Sequence, residues 1–102
     1  MNLWRLMHLS PIYKTELPTK DALFLLYEEL GWNDFLALSA EQLLLAMRHS
    51  FFAVYAYDGD KLIGTGRVVS DGVINAYICG LGVLPEYRNR GVGSEIMNRL
   101  KT

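Results

Sequence analysis

A run of strand-forming residues stops at Pro85, and within eight residues the chain passes Gly91 and Gly93 into a helical apolar stripe, which leaves it few ways to fold. Proline ends a strand because it has no N–H for the ladder and holds its predecessor in extended backbone. Val92, Ile96 and Leu100 then recur along one face of a helix. Between strand and helix, Arg88-Asn89-Arg90-Gly91-Val92-Gly93 gathers successive backbone N–H groups at a helix N-terminus, where an anion can sit. Gly91 and Gly93 have no Cβ to block a pyrophosphate, and Arg88 and Arg90 add positive charge at the mouth of the turn.

The turn differs from two better-known phosphate loops. It lacks the Gly-Lys-Ser/Thr of the Walker turn, and the dinucleotide fingerprint needs Gly-x-Gly-x-x-Gly between parallel strands. Here the strands before it read as antiparallel. Ten Lys and Arg against eleven Asp and Glu leave a net charge of −1, so no basic field exists for nucleic acid or an anionic membrane. An anion site must therefore be local, which makes the Arg88 and Arg90 pair informative.

The remaining sequence supplies a framework for that turn. Thr19 caps a helix whose Leu23, Leu26, Tyr27 and Leu30 share a face, and Gly31 stands at its C-terminal cap. Trp32 to Leu38 reads as a connection. Ser39 and Gln42 form a capping box for a second helix with Leu43, Leu44 and Met47 as its buried stripe and His49 near its end. Phe51 to Tyr57 alternates as a half-buried strand, Asp58-Gly59-Asp60 turns the chain, and Leu62 to Val69 returns. Asp71-Gly72 signals a tight turn into a third strand, Val73 to Val83, in which Gly80 and Gly82 suggest a bulge or a close backbone approach. The result is one α+β unit in the order helix-helix-strand-strand-strand-helix, with room for a short extra strand between Leu3 and Tyr13.

At 102 residues and 51% hydrophobic content the chain supports one core. Cys79 is the only cysteine, which excludes an internal disulfide, gives no zinc pattern and makes a reducing cytoplasm the default compartment. The N-terminal apolar residues Leu3, Trp4, Leu6 and Met7 are interrupted by Arg5 and His8, so no signal-peptide core is expected. Nowhere do apolar residues approach the ~20 that a membrane helix requires.

The segment Leu81-Gly82-Val83-Leu84-Pro85-Glu86-Tyr87-Arg88-Asn89-Arg90-Gly91-Val92-Gly93-Ser94 resembles the GNAT superfamily of N-acetyltransferases, whose Arg/Gln-x-x-Gly-x-Gly/Ala signature follows a bulged strand. The two helices and the hairpin with Leu62-Ile63-Gly64 extend the resemblance over nearly the whole chain. It implies a GNAT-like, mostly antiparallel mixed sheet. It also implies acetyl-coenzyme A as cosubstrate, a primary amine as acceptor, and direct attack of that amine on the acetyl thioester.

By the same resemblance, amides around Arg90, Gly91, Val92, Gly93 and Ser94 hold the coenzyme A pyrophosphate, with Arg88 and Asn89 beside them. Leu81 and Val83 pair their backbone with the pantetheine arm. A backbone N–H near Gly80 to Gly82 is the oxyanion donor. Family members continue past the motif helix through further strands, so residues 1–102 resemble a partial domain that encodes one wall of the cleft. That leaves the edge of the strand Val73 to Val83 open to pairing, including with a second copy of the chain.

No catalytic residue is assigned. Tyr55, Tyr57, Tyr77 and Tyr87 inherit no acid role by motif. Glu28, Glu29, Asp34 and Glu41 lie where the family builds its acceptor site, yet charged helix residues are ordinarily solvated. His49 has a dipole contact as its plain explanation, His8 lacks a partner in sequence, and Cys79 reads as a small buried hydrophobe. Arg67 and Asp71 read as solvated neighbours of a hairpin turn. Two other readings stay open: a non-catalytic acyl-coenzyme A binding or protein-interaction module, and a purely structural glycine turn in an unrelated α+β domain.

Overall fold

The computed structural model describes residues 3–101. Its elements are α1 (Leu3–Met7), β1 (Ile12–Lys14), α2 (Lys20–Glu29), α3 (Trp32–Leu36), α4 (Ala40–Arg48), β2 (Phe52–Asp58), β3 (Lys61–Ser70), β4 (Ala76–Val83) and α5 (Val92–Leu100), with a 3-10 turn at Pro85–Tyr87 before α5. The strands form one sheet in the order β1-β2-β3-β4, antiparallel at each pairing. Thr102 lies outside the described residues.

Helix boundaries follow the capping chemistry. Thr19 Oγ1 accepts from the Ala22 N–H at 3.2 Å, and α2 ends at Gly31, whose φ of 79° is the left-handed cap. At α4, Ser39 Oγ accepts from Gln42 N–H at 3.1 Å while Gln42 Oε1 accepts from Ser39 N–H at 2.9 Å, so the capping box is complete. Leu43 and Met47 are buried; Leu44 is only half-buried.

The stretch expected as a plain connection, Trp32 to Leu38, contains the one-turn helix α3. Buried Asn33 anchors it: Nδ2 donates to Leu38 O at 3.0 Å and Oδ1 accepts from Leu38 N–H at 2.8 Å. One amide side chain thus satisfies both backbone groups where the chain leaves α3 for α4. Asn33→Ala should cost about 2 kcal/mol, because it strands a donor and an acceptor together. Chemical denaturation checks this, and a loss below a few tenths would show that the link is held otherwise.

Strand β2 departs from the expected alternation. Ala53 through Ala56 are all buried, because helices cover both sheet faces. On one face α5 lies so close that a Cβ on Gly66 would stand 2.8 Å from Ile96 Cγ2 and 2.9 Å from Leu100 Cδ1. On the other, a Cβ on Gly82 would meet the Trp32 ring at 2.5 Å. Leu23, Leu26, Tyr55 and Ile63 are among the most deeply buried residues between these layers.

Both hairpins form, with different turns. Asp58 pairs with Lys61 across Gly59-Asp60, as expected. The second is longer than the tight turn expected at Asp71-Gly72. The Asp71 carboxylate accepts from the N–H groups of Val73, Ile74 and Asn75 at 2.8, 2.9 and 3.1 Å, winding residues 71–75 into a loop. Those bonds hold its pKa below the ordinary carboxylate value, and β4 begins at Ala76, not Val73.

Candidate functional site

β4 lies at the edge of the sheet, and its irregularity sets the geometry of the site. Thr65 pairs with Gly82 and Arg67 with Cys79, so Gly80 and Leu81 share the place opposite Gly66. Such a bulge needs one residue in the left-handed region, and Gly80 has a φ of 60°. Further on, the Leu84 N–H donates to Ile63 O at 2.9 Å, and antiparallel alternation then turns the backbone of Val83 away from β3. Its carbonyl accepts from Arg88 Nε at 2.9 Å on that open side.

This contact fixes Arg88 across the end of β4 and leaves the remaining guanidinium donors free to face outward. Tyr87 is buried and its hydroxyl donates to Asp58 Oδ2 at 2.7 Å, which ties the turn to the β2–β3 hairpin. Asn89, with a φ of 62°, and Gly91, with a φ of 82°, bend the chain back so that α5 starts directly under the turn. Gly91 O accepts from the Glu95 N–H at 3.0 Å, and no side chain caps the helix. The N–H groups of Val92, Gly93 and Ser94 therefore have no intrahelical partner, and the positive end of the α5 dipole is open.

Two shallow depressions of about 310 Å³ each lie beside these groups. Val83, Arg88, Asn89, Gly91, Gly93 and Ser94 line the first; Leu81, Gly93, Ser94, Met97 and Asn98 line the second. They share Gly93 and Ser94, so one track runs from the turn to the β4 bulge. Arg90 is exposed beside the track without lining it, and Val92 contributes only backbone because its side chain is buried. Among the described residues neither Arg88 nor Arg90 pairs with a carboxylate. A larger depression of about 360 Å³ is lined by Phe51, Phe52, Val68, Ala76, Leu100 and Lys101, with Lys101 its one titratable side chain.

Other sequence candidates are scattered. Glu41 pairs with Lys20 at 2.9 Å and Glu29 with Lys61 at 3.4 Å, while Glu28 accepts from Asn33 at 3.5 Å. Asp34 and His49 are exposed, and His8 stacks on Trp4 with ring centroids 4.2 Å apart. Cys79 is half-buried, not enclosed as expected. Arg67, read as solvated, is half-buried, with Nη1 donating to Ser50 Oγ at 3.3 Å. No local pattern signals that Arg67, Tyr27 and Gly80 meet, since the bulged register brings them together.

Tyr55 lies in the core below this group, its hydroxyl without a partner among the described residues. Burial pushes its pKa up to about 12, with smaller contributions from Tyr27 and Tyr57. The folded protein therefore holds the Tyr55 proton more tightly than the unfolded chain. Its contribution is complete below pH 10 and is lost as pH rises towards 12. Stability should fall across that window, and Tyr55→Phe should flatten the fall. Denaturation midpoints at pH 9 and pH 11 measure both; an equal fall in the variant would assign it to other tyrosines.

The model of the acetyltransferase (GNAT) family matches residues 9–102. A probable acetyltransferase from meticillin-resistant Staphylococcus aureus superposes with a TM-score of 0.79 at 28% identity, over 90% of this chain and 67% of that one. A GNAT family acetyltransferase from Streptococcus pneumoniae gives 0.72 at 31%, over 88% and 64%. An aminoglycoside 6'-N-acetyltransferase complexed with coenzyme A gives 0.73 at 26%, over 88% and 53%. The chain thus spans between about half and two thirds of the length of these structures. No curated protein matches.

Proposed function

The chain belongs to the acetyltransferase (GNAT) family, and from that premise we propose that it carries the acetyl-coenzyme A site of an N-acetyltransferase acting on a primary amine. The observation that carries this reading is the uncapped N-terminus of α5, opened by left-handed Gly91, facing a track that leads to the bulged edge of β4. N–H groups of residues 90–94, with Arg88, Asn89 and Arg90 around them, would hold the pyrophosphate; Ser94 adds a hydroxyl. The pantetheine arm would lie along Leu81 and Val83, using the backbone groups that β3 leaves free.

The chemistry then needs little more than placement. A neutral amine nitrogen attacks the thioester carbonyl carbon, and a backbone N–H at the Gly80 bulge stabilises the oxyanion. The carbon–sulfur bond breaks, the amide forms, and the proton shed by nitrogen ends on the coenzyme A thiol. Mixing the protein with acetyl-coenzyme A and a panel of primary amines, with free thiol as the readout, tests the step. Amine-dependent thiol release supports it; saturable coenzyme A binding with no release across the panel favours the binding-module reading.

The open β4 edge also suits pairing with a second copy, which sedimentation with and without coenzyme A would reveal. Among the described residues no helix is long and apolar enough to cross a membrane. With its single cysteine, the protein suits a reducing cytoplasm.

A further inference from the structure

Beside the bulge, on the sheet face opposite α5, lies a group of polar side chains that the coenzyme A reading does not use. Arg67 Nε and Tyr27 Oη stand 3.6 and 3.7 Å from the point a Cβ on Gly80 would occupy. Arg67 Nε is buried and has no hydrogen-bond partner among the described residues. Tyr55 Oη and Thr65 Oγ1 are likewise buried and unpartnered, on strand positions of the same face. Among the described residues the guanidinium's side-chain hydrogen bond is from Nη1 to Ser50 Oγ at 3.3 Å, which supplies no charge.

We propose that Arg67 binds a carboxylate on the acceptor, so that the amine acetylated is one carrying a carboxylate within a few bonds, as amino acids do. The inference rests on the acetyl-transfer reading, which places the acceptor at this bulge. A half-buried guanidinium with no carboxylate beside it has lost water without gaining a counter-charge, and its planar donors match a carboxylate. A carboxylate held there, with the Tyr27 hydroxyl beside it, sets an amine two bonds away next to the Gly80 backbone, where the thioester would lie. This geometry uses the bulge for both reactants, one from each side of the sheet.

The charges nearby argue the same way. A polycationic acceptor needs free carboxylates, but of the four candidates on or between the first helices Glu29 and Glu41 are paired with Lys61 and Lys20 and Glu28 accepts from Asn33, which leaves exposed Asp34. A second cation placed beside Arg67 would be repelled in a partly desolvated site. The acceptor class inferred here therefore differs from the aminoglycosides named for one structural neighbour.

The test uses product mimics, so that it does not depend on turnover. N-acetylglycine and its uncharged counterpart N-acetylglycinamide are titrated into the isotope-labelled protein with coenzyme A present, following the Arg67 Nε–H and Gly80 backbone signals. The acid should shift both signals saturably and bind about tenfold more tightly than the amide. Arg67→Gln should abolish that preference and Arg67→Lys should keep part of it, while thermal melts check that each variant folds. Equal binding of acid and amide, no response at Arg67, or a preference that survives Arg67→Gln would overturn the proposal. The amides of Gly91 to Ser94 report coenzyme A in the same spectra. Their silence beside a carboxylate response would sink the acetyl-transfer reading and leave the Arg67 site standing.

Discussion

Gly93→Asp will weaken acetyl-coenzyme A binding by about 100-fold or more and leave the fold intact. Gly93 lines both depressions beside the turn, and a Cβ there meets only Val83 Cγ2, at 3.7 Å, an ordinary contact. An aspartate in the first turn is favourable to the helix itself, since a negative charge suits the positive end of its dipole. The same carboxylate would occupy and neutralise the open N–H groups and repel a pyrophosphate. A 100-fold loss corresponds to ~2.7 kcal/mol, within what displacing several charge-assisted hydrogen bonds can produce. Calorimetric titration measures the affinity, and a thermal melt within a few degrees of wild type shows that folding is unaffected. Unchanged affinity would place the phosphates elsewhere.

Gly66→Ala should destabilise the protein by about 1–3 kcal/mol, an overpacking cost set by the close seat of α5 on the sheet. The added methyl would lie 2.8 Å from Ile96 Cγ2 and 2.9 Å from Leu100 Cδ1, and Ile96 is fully buried, so neither neighbour can swing into solvent. For a domain of this size each kcal/mol lowers the melting temperature by roughly 4–8 °C. Ile96→Ala alone should also destabilise, by opening a cavity, but in the Gly66→Ala background it should cost less because it removes the clash. Additive losses would mean that α5 shifts bodily and that the contact is not specific. Because α5 also carries the uncapped N–H groups, coenzyme A affinity is expected to fall with stability in this series, unlike Gly93→Asp.

The turn, its helix and the bulge were legible because each depends on residues near in sequence. Proline ends a strand, Gly91 supplies a left-handed φ, and Val92, Ile96 and Leu100 keep helical spacing regardless of what lies far away. The caps at Thr19 and Ser39 were legible for the same reason. The burial of β2 was not: its residues read as alternating, and only the presence of helices on both sheet faces made Ala53 to Ala56 continuous core. Asn33 looked like one polar residue in a connection, since its role needs the backbone of Leu38. Asp71-Gly72 suggested a two-residue turn, but an aspartate that can accept three backbone N–H groups stabilises a longer loop. Arg67 was the largest miss at the candidate site, because its neighbours Ser50, Tyr27 and Gly80 come from three other parts of the chain.

We propose that the open N-terminus of α5 binds the phosphates of acetyl-coenzyme A. The most direct measurement follows the backbone amide signals of Arg90 to Ser94 by NMR while acetyl-coenzyme A is added to the labelled protein. Saturable shifts centred on Gly91 and Gly93 are expected, moving in step with smaller shifts at Leu81 and Val83. Signals that stay in place at millimolar ligand, or shifts confined to residues away from this turn, would contradict it.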